Sequence, residues 1–169
     1  MTINGLNDFA GDFARALFEA FPWLRDHAQL HEVEGVQPGS LLVEFDPPPP
    51  RKDCTLWITT DQDEITVGFG MFHSHFDWPR PGADDWWEDP LKFIRDLTED
   101  RVLIEDWTKD GKWSGSSTLA ADAEPDLSGL TPDHVVQIRS WSGRLDRTIS
   151  GAGGAGGHDA LADDAPRQA

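Results

Sequence analysis

Residues 64–78 read EITVGFGMFHSHFDW, and the alternation within this stretch decides the fold. In an extended strand, successive side chains point to opposite faces. An unbroken strand from Ile65 would gather Val67, Phe69, Met71, His73, His75 and Asp77 on one face, half of it apolar and half polar. Phe72, Phe76 and Trp78 would fall on the other with two glycines, so neither face would suit a core. A one-residue bulge or bend between Gly68 and Met71 resets the alternation. Ile65, Val67, Phe69, Phe72, Phe76 and Trp78 then face the core together, and His73, His75 and Asp77 face outward.

The neighbouring segments extend a sheet from this stretch. CTLWITT (54–60) and EITVGFG (64–70) flank Asp61-Gln62-Asp63 and read as antiparallel strands joined by a short polar turn. In SLLVEFDPPPP (40–50), Leu41, Val43 and Phe45 alternate, and the prolines from Pro47 end any further pairing. Downstream, VLIEDWTKDGKWSGSSTL (102–119) carries Asp110-Gly111, a type I′ hairpin signal, and HVVQIRSWSGRLDRTI (134–149) predicts a second hairpin turning near Ser142-Gly143. NDFAGDFARALFEAF (7–21) places Phe9, Phe13, Ala16, Leu17 and Phe21 at helical spacing, with Asn7 or Asp8 as N-cap and Pro22 as terminator. A second helix follows from Pro90 after Asp89, with Leu91, Ile94 and Leu97 in one stripe. Short connections favour antiparallel neighbours. The expectation is one α+β domain over residues 1–150, with a single curved, mainly antiparallel sheet of about six to seven strands and two helices on one face. Residues 151–169, rich in Gly, Ala and Asp, lose periodicity and are expected to form a flexible tail.

Fourteen basic residues against 31 acidic ones give a net charge of −17. Such a field repels phosphate backbones and anionic membranes, and it speeds encounter with cations or basic proteins. Nucleic acid and membrane are therefore set aside as partners. Cys54 is the only cysteine, which excludes an intrachain disulfide and fits a reducing cytoplasm. No basic segment followed by an apolar run marks an export signal, and no apolar run approaches the roughly 20 residues that span a bilayer. Eight Trp and nine Phe without any Tyr mean a core built on Trp and Phe, with some indoles left partly exposed.

Two chemistries compete at the histidines. His73 and His75, two apart on a strand, have Cα atoms roughly 6.5–7 Å apart, close enough to share a zinc at about 2.0–2.1 Å from each nitrogen. Asp77 could add a carboxylate, which makes a metal-dependent hydrolase using His73, His75 and Asp77 the alternative reading, with a divalent metal such as zinc as its cofactor. The H-x-H-x-D spacing resembles the start of the metallo-β-lactamase-fold motif, but Trp78 stands where that motif has another histidine. The leading reading is a partner surface. FDWPRPGADDWWEDP (76–90) sets Trp78, Trp86 and Trp87 among Asp77, Asp84, Asp85, Glu88 and Asp89, aromatic anchors beside acids that suit a basic protein. If Leu56 and Ile58 face the core, Trp57 points outward, and the same alternation can set Trp141 outside beside Gln137 and Arg139. The expected partner-binding set is Trp57, His73, His75, Asp77, Asp84, Asp85, Trp86 and Trp87, with no catalytic residue. Cys54 reads as a small buried residue with no basic neighbour to make it a thiolate.

The segments LWITTDQDEITVGFGMFHSHFDW (56–78) and HVVQIRSWSGRLDR (134–147) resemble uncharacterised bacterial proteins that include immunity-type partners of polymorphic toxins. The resemblance covers the sheet region. It implies a small, cytosolic, often acidic protein that protects its cell by covering a toxin domain, which agrees with the charge and with the incomplete catalytic set read from the residues.

Overall fold

The computed structural model describes residues 4–48, 54–77 and 87–151, the side chain of Asp77 excepted. Helix α1 spans Asp8–Ala20. Asn7 caps it, its side-chain oxygen accepting from the Ala10 N–H at 2.9 Å, which satisfies one of the orphan donors of the first turn. Ala10, Phe13, Ala14, Leu17 and Phe18 form its buried stripe. Pro22 lacks the N–H to continue the helix and instead opens a 3-10 turn over Pro22–His27.

Five strands follow: β1 (Ala28–Leu30), β2 (Leu41–Phe45), β3 (Leu56–Asp61), β4 (Glu64–Phe69) and β5 (Phe72–Asp77). They form one antiparallel sheet in sequential order. After helix α2 (Glu88–Thr98), strands β6 (Val102–Lys109), β7 (Lys112–Ala120), β8 (His134–Arg139) and β9 (Arg147–Ser150) form a second sheet ordered β7-β6-β8-β9. The α+β class holds, but the single sheet expected from sequence is two sheets. Each is assembled from local hairpins on its own side of α2, and no ladder among the described residues joins them. The three-residue β1 is too short to leave a pattern in the sequence.

The bulge expected near Gly68–Met71 is a hairpin instead. Phe69 pairs with Phe72 across a two-residue turn in which Gly70 has φ 63°, a conformation that favours glycine. A two-residue turn returns its flanking residues to the same face, so the parity argument survives the change of mechanism. Ile65, Val67, Phe69 and Phe72 are buried while His73 and His75 are exposed. Asp110-Gly111 does form the expected turn between β6 and β7, both residues having positive φ. A real register shift lies in that hairpin, between Trp107 and Thr108.

The main core joins α1, α2 and the inner face of the five-stranded sheet: Phe13, Leu17, Leu41, Ile58, Ile65, Val67, Phe69, Ile94 and Leu97 all belong to it, with Ile104 from β6. Burying each such side chain contributes about 1.5–3 kcal/mol. Phe93 on α2 meets Phe72 and Phe76 of β5 at ring-centroid distances of 5.8 and 5.9 Å, tying the helix to the edge strand. A smaller core of Leu103, Leu119, Val136 and Ile138 lies on the other face of the second sheet, with Leu127 and Leu130 packed against it.

Trp141 does not join an outward aromatic row. It follows the end of β8, and its ring packs against Phe45 at 5.8 Å and Phe69 at 5.9 Å, with Trp23 at 5.9 Å. Among the described residues no helix is long and apolar enough to cross a membrane. Of the expected tail, residues 151–169, all but Gly151 lies outside the described residues, and the Gly151 N–H donates to the His134 carbonyl at 3.0 Å.

Candidate recognition face

Both helices bury their apolar stripes against one face of the five-stranded sheet, which leaves the opposite face to display its side chains. The register aligns Glu44, Trp57, Gly68 and His73 in a row across β2, β3, β4 and β5. The adjacent row runs Leu42, Thr59, Thr66, His75. A third begins with Asp61 and Glu64 and continues to the backbone position of Asp77. Strand alternation thus delivers Trp57, His73 and His75 to one face.

Glycine at position 68 makes the centre of that face. A Cβ built on Gly68 would lie 2.0 Å from Trp57 Cε2 and 2.4 Å from its Nε1, so the indole lies down over the glycine backbone. Trp57 is therefore half-buried without entering the core. His73 stands beyond it, the two rings 6.0 Å apart between centroids. His75 meets His73 edge to face at 5.1 Å with an interplanar angle of 89°.

His75 is held from behind. Its Nδ1 lies 2.5 Å from Glu64 Oε1, and Thr66 Oγ1 donates to the same carboxylate oxygen at 3.0 Å. An ionised carboxylate can only accept, so in the neutral imidazole it selects the tautomer with the proton on Nδ1 and the lone pair on Nε2. Glu64, Thr66 and Gly68 were not singled out from sequence. Their signal was the same alternation that placed the histidines, carried one strand back across the hairpin.

The other expected partner residues do not all meet here. Trp87 precedes α2 and packs against the main core, on the helix side of the sheet. It lines a separate depression of about 530 Å³ with Lys92, Arg95, Asp96 and Arg101. In that depression Lys92 holds the Asp96 carboxyl below the usual carboxylate range by hydrogen bonding at 2.5 Å, with Arg101 Nε adding a second bond at 2.8 Å and partial burial opposing both. Asp84, Asp85, Trp86 and Trp78 lie outside the described residues, as does the side chain of Asp77. Among the described residues no group of three or more His, Cys, Asp and Glu side chains could hold a metal ion.

Cys54 is buried as expected, but it does have a basic neighbour. Arg139 Nη1 lies 3.6 Å from its sulfur. The guanidinium also pairs with Asp106, Nε to Oδ2 at 3.3 Å, and donates to Gln137 at 2.8 Å. Ser116 donates to Asp106 Oδ1 at 2.6 Å. This cluster connects β6, β7 and β8 to Cys54, two residues before β3, a polar fastening between the two sheets. Its distance along the chain, from 54 to 139, hid it from sequence reading.

No family model, curated protein or solved structure matches this chain.

Proposed function

We propose that the chain is a non-enzymatic protein-binding domain whose partner is a basic protein, and that it acts by occlusion, as an immunity protein covers a toxin domain. The observation that carries this reading is the open face of the five-stranded sheet, where Trp57 lies over Gly68 beside His73. A flat, pre-positioned indole offers contact area at little cost in side-chain freedom, the property of an interface anchor. Glu44 on the same row and the net charge of −17 supply the opposite sign to a basic surface. Asp84, Asp85 and Trp86 extend the acidic, aromatic character in sequence beyond β5. Electrostatic attraction then sets the association rate, and the aromatic contact sets the residence time.

The test begins with capture of partners by the full chain in the cell that makes it, followed by binding kinetics with the purified partner. A basic partner is expected, with association that slows as salt rises. Asp84→Lys with Asp85→Lys should slow association and flatten its salt dependence, and Trp57→Ala should weaken affinity by about tenfold or more, chiefly through faster dissociation. An association rate indifferent to salt and to both charge reversals removes the steering mechanism. Unchanged affinity in Trp57→Ala removes this face.

A further inference from the structure

We propose that His73 and His75 form a two-histidine chelate for a divalent transition metal of the zinc class, with Glu64 as its positioning residue. The site lies on the recognition face, but the argument for it does not depend on a protein partner.

Ring geometry is the first support. Two imidazoles sharing a tetrahedral metal at about 2.0–2.1 Å from each nitrogen have ring centroids about 5 Å apart. The centroids of His73 and His75 are 5.1 Å apart, so the rings stand at chelating separation on alternate positions of one strand. The second support is the proton. The Glu64 carboxylate takes the Nδ1–H of His75, with Thr66 donating to the same oxygen. A carboxylate behind a histidine is the arrangement that orients metal-bound imidazoles and raises their basicity. Here it points the free Nε2 lone pair away from Glu64.

Packing and field add to this. Trp57 flanks His73 at 6.0 Å and limits the positions its ring can take. The His75 side chain is 52% exposed, so water can fill the remaining coordination positions. A net charge of −17 concentrates cations near the surface. The donors choose the metal: imidazole nitrogen suits zinc, copper and nickel, whereas calcium and magnesium require oxygen ligands. Among the described residues the two nitrogens fall short of the three protein ligands of a catalytic zinc site, so the chelate is put forward as a binding site.

Calorimetric titration of zinc chloride into the full chain, purified without a histidine tag, tests the proposal together with imidazole NMR. One site is expected, with zinc shifting the resonances of His73 and His75. His73→Ala and His75→Ala should each weaken binding at least tenfold, and Glu64→Gln by about tenfold. His134→Ala and His158→Ala should leave it unchanged. The side chains of His73, His75, Glu64 and His134 are exposed or half-exposed, and matching thermal melts without metal will show that each variant folds. Zinc binding that persists in the His73→Ala/His75→Ala double variant overturns the proposal, as does a wild-type chain whose imidazole resonances do not respond. Glu64→Gln with undiminished affinity would remove the positioning role.

Discussion

At the scale of single residues, Gly68 and Asp106 carry more than their size suggests. Gly68 exists to be covered: a methyl group there collides with the Trp57 indole at 2.0 Å. Gly68→Ala should therefore destabilise the chain by about 1–3 kcal/mol, the usual cost of forcing extra volume into a packed site. Urea denaturation checks this, and Trp57→Ala should recover much of the loss in the double variant, because the clash then has no partner. Asp106 is buried and paired with Arg139. Asp106→Ala removes a buried carboxylate that pairs with Arg139 and accepts from Ser116, and should cost about 1.5–3 kcal/mol, read as a lower denaturation midpoint. Little of this was legible in the sequence. The acidic residue on β6 and the arginine on β8 look like ordinary alternating polar positions, and only the pairing of Ile104 with Arg139 and Asp106 with Gln137 brings them to one face.

At the scale of elements, local rules explain what sequence could foresee and where it went astray. Asp110-Gly111 predicts its turn because few dipeptides accept two successive positive φ values, and both residues have them. The helix-start signal at Asn7 is equally local, and its bond to the Ala10 N–H is present at 2.9 Å. Asn7→Ala should lower stability by about 1 kcal/mol, measurable by chemical denaturation. Gly70-Met71 was harder to read. A bulge and a two-residue turn both restore face parity, so alternation alone fixes which side His73 faces without saying whether one strand or two are present. Helix α2 contributes a pH effect. Because Lys92 and Arg101 hold the Asp96 carboxyl below its ordinary range, the stabilisation is complete above the unfolded-state value of about 3.9 and is lost as pH falls through the lower native value. Asp96→Asn should flatten the acid limb of the stability profile below about pH 4, a difference that thermal melts across an acid series will resolve.

At the scale of the whole molecule, charge sets behaviour that no single contact explains. A net charge of −17 on 169 residues makes the folded chain repel itself, and salt screens that repulsion. Raising sodium chloride from about 10 to 200 mM should increase the melting temperature, the reverse of what a fold held by surface ion pairs would show. The division into two sheets was not legible at this scale. Sequence reports strands and their neighbours, while the break between sheets depends on β5 and β7 failing to pair across a helix. What that helix does instead is grip the edge strand, through Phe93 against Phe72 and Phe76. That contact joins β5 directly to α2. A change at Phe93 is therefore felt in two elements at once, the helix and an edge strand that, among the described residues, pairs with β4 alone.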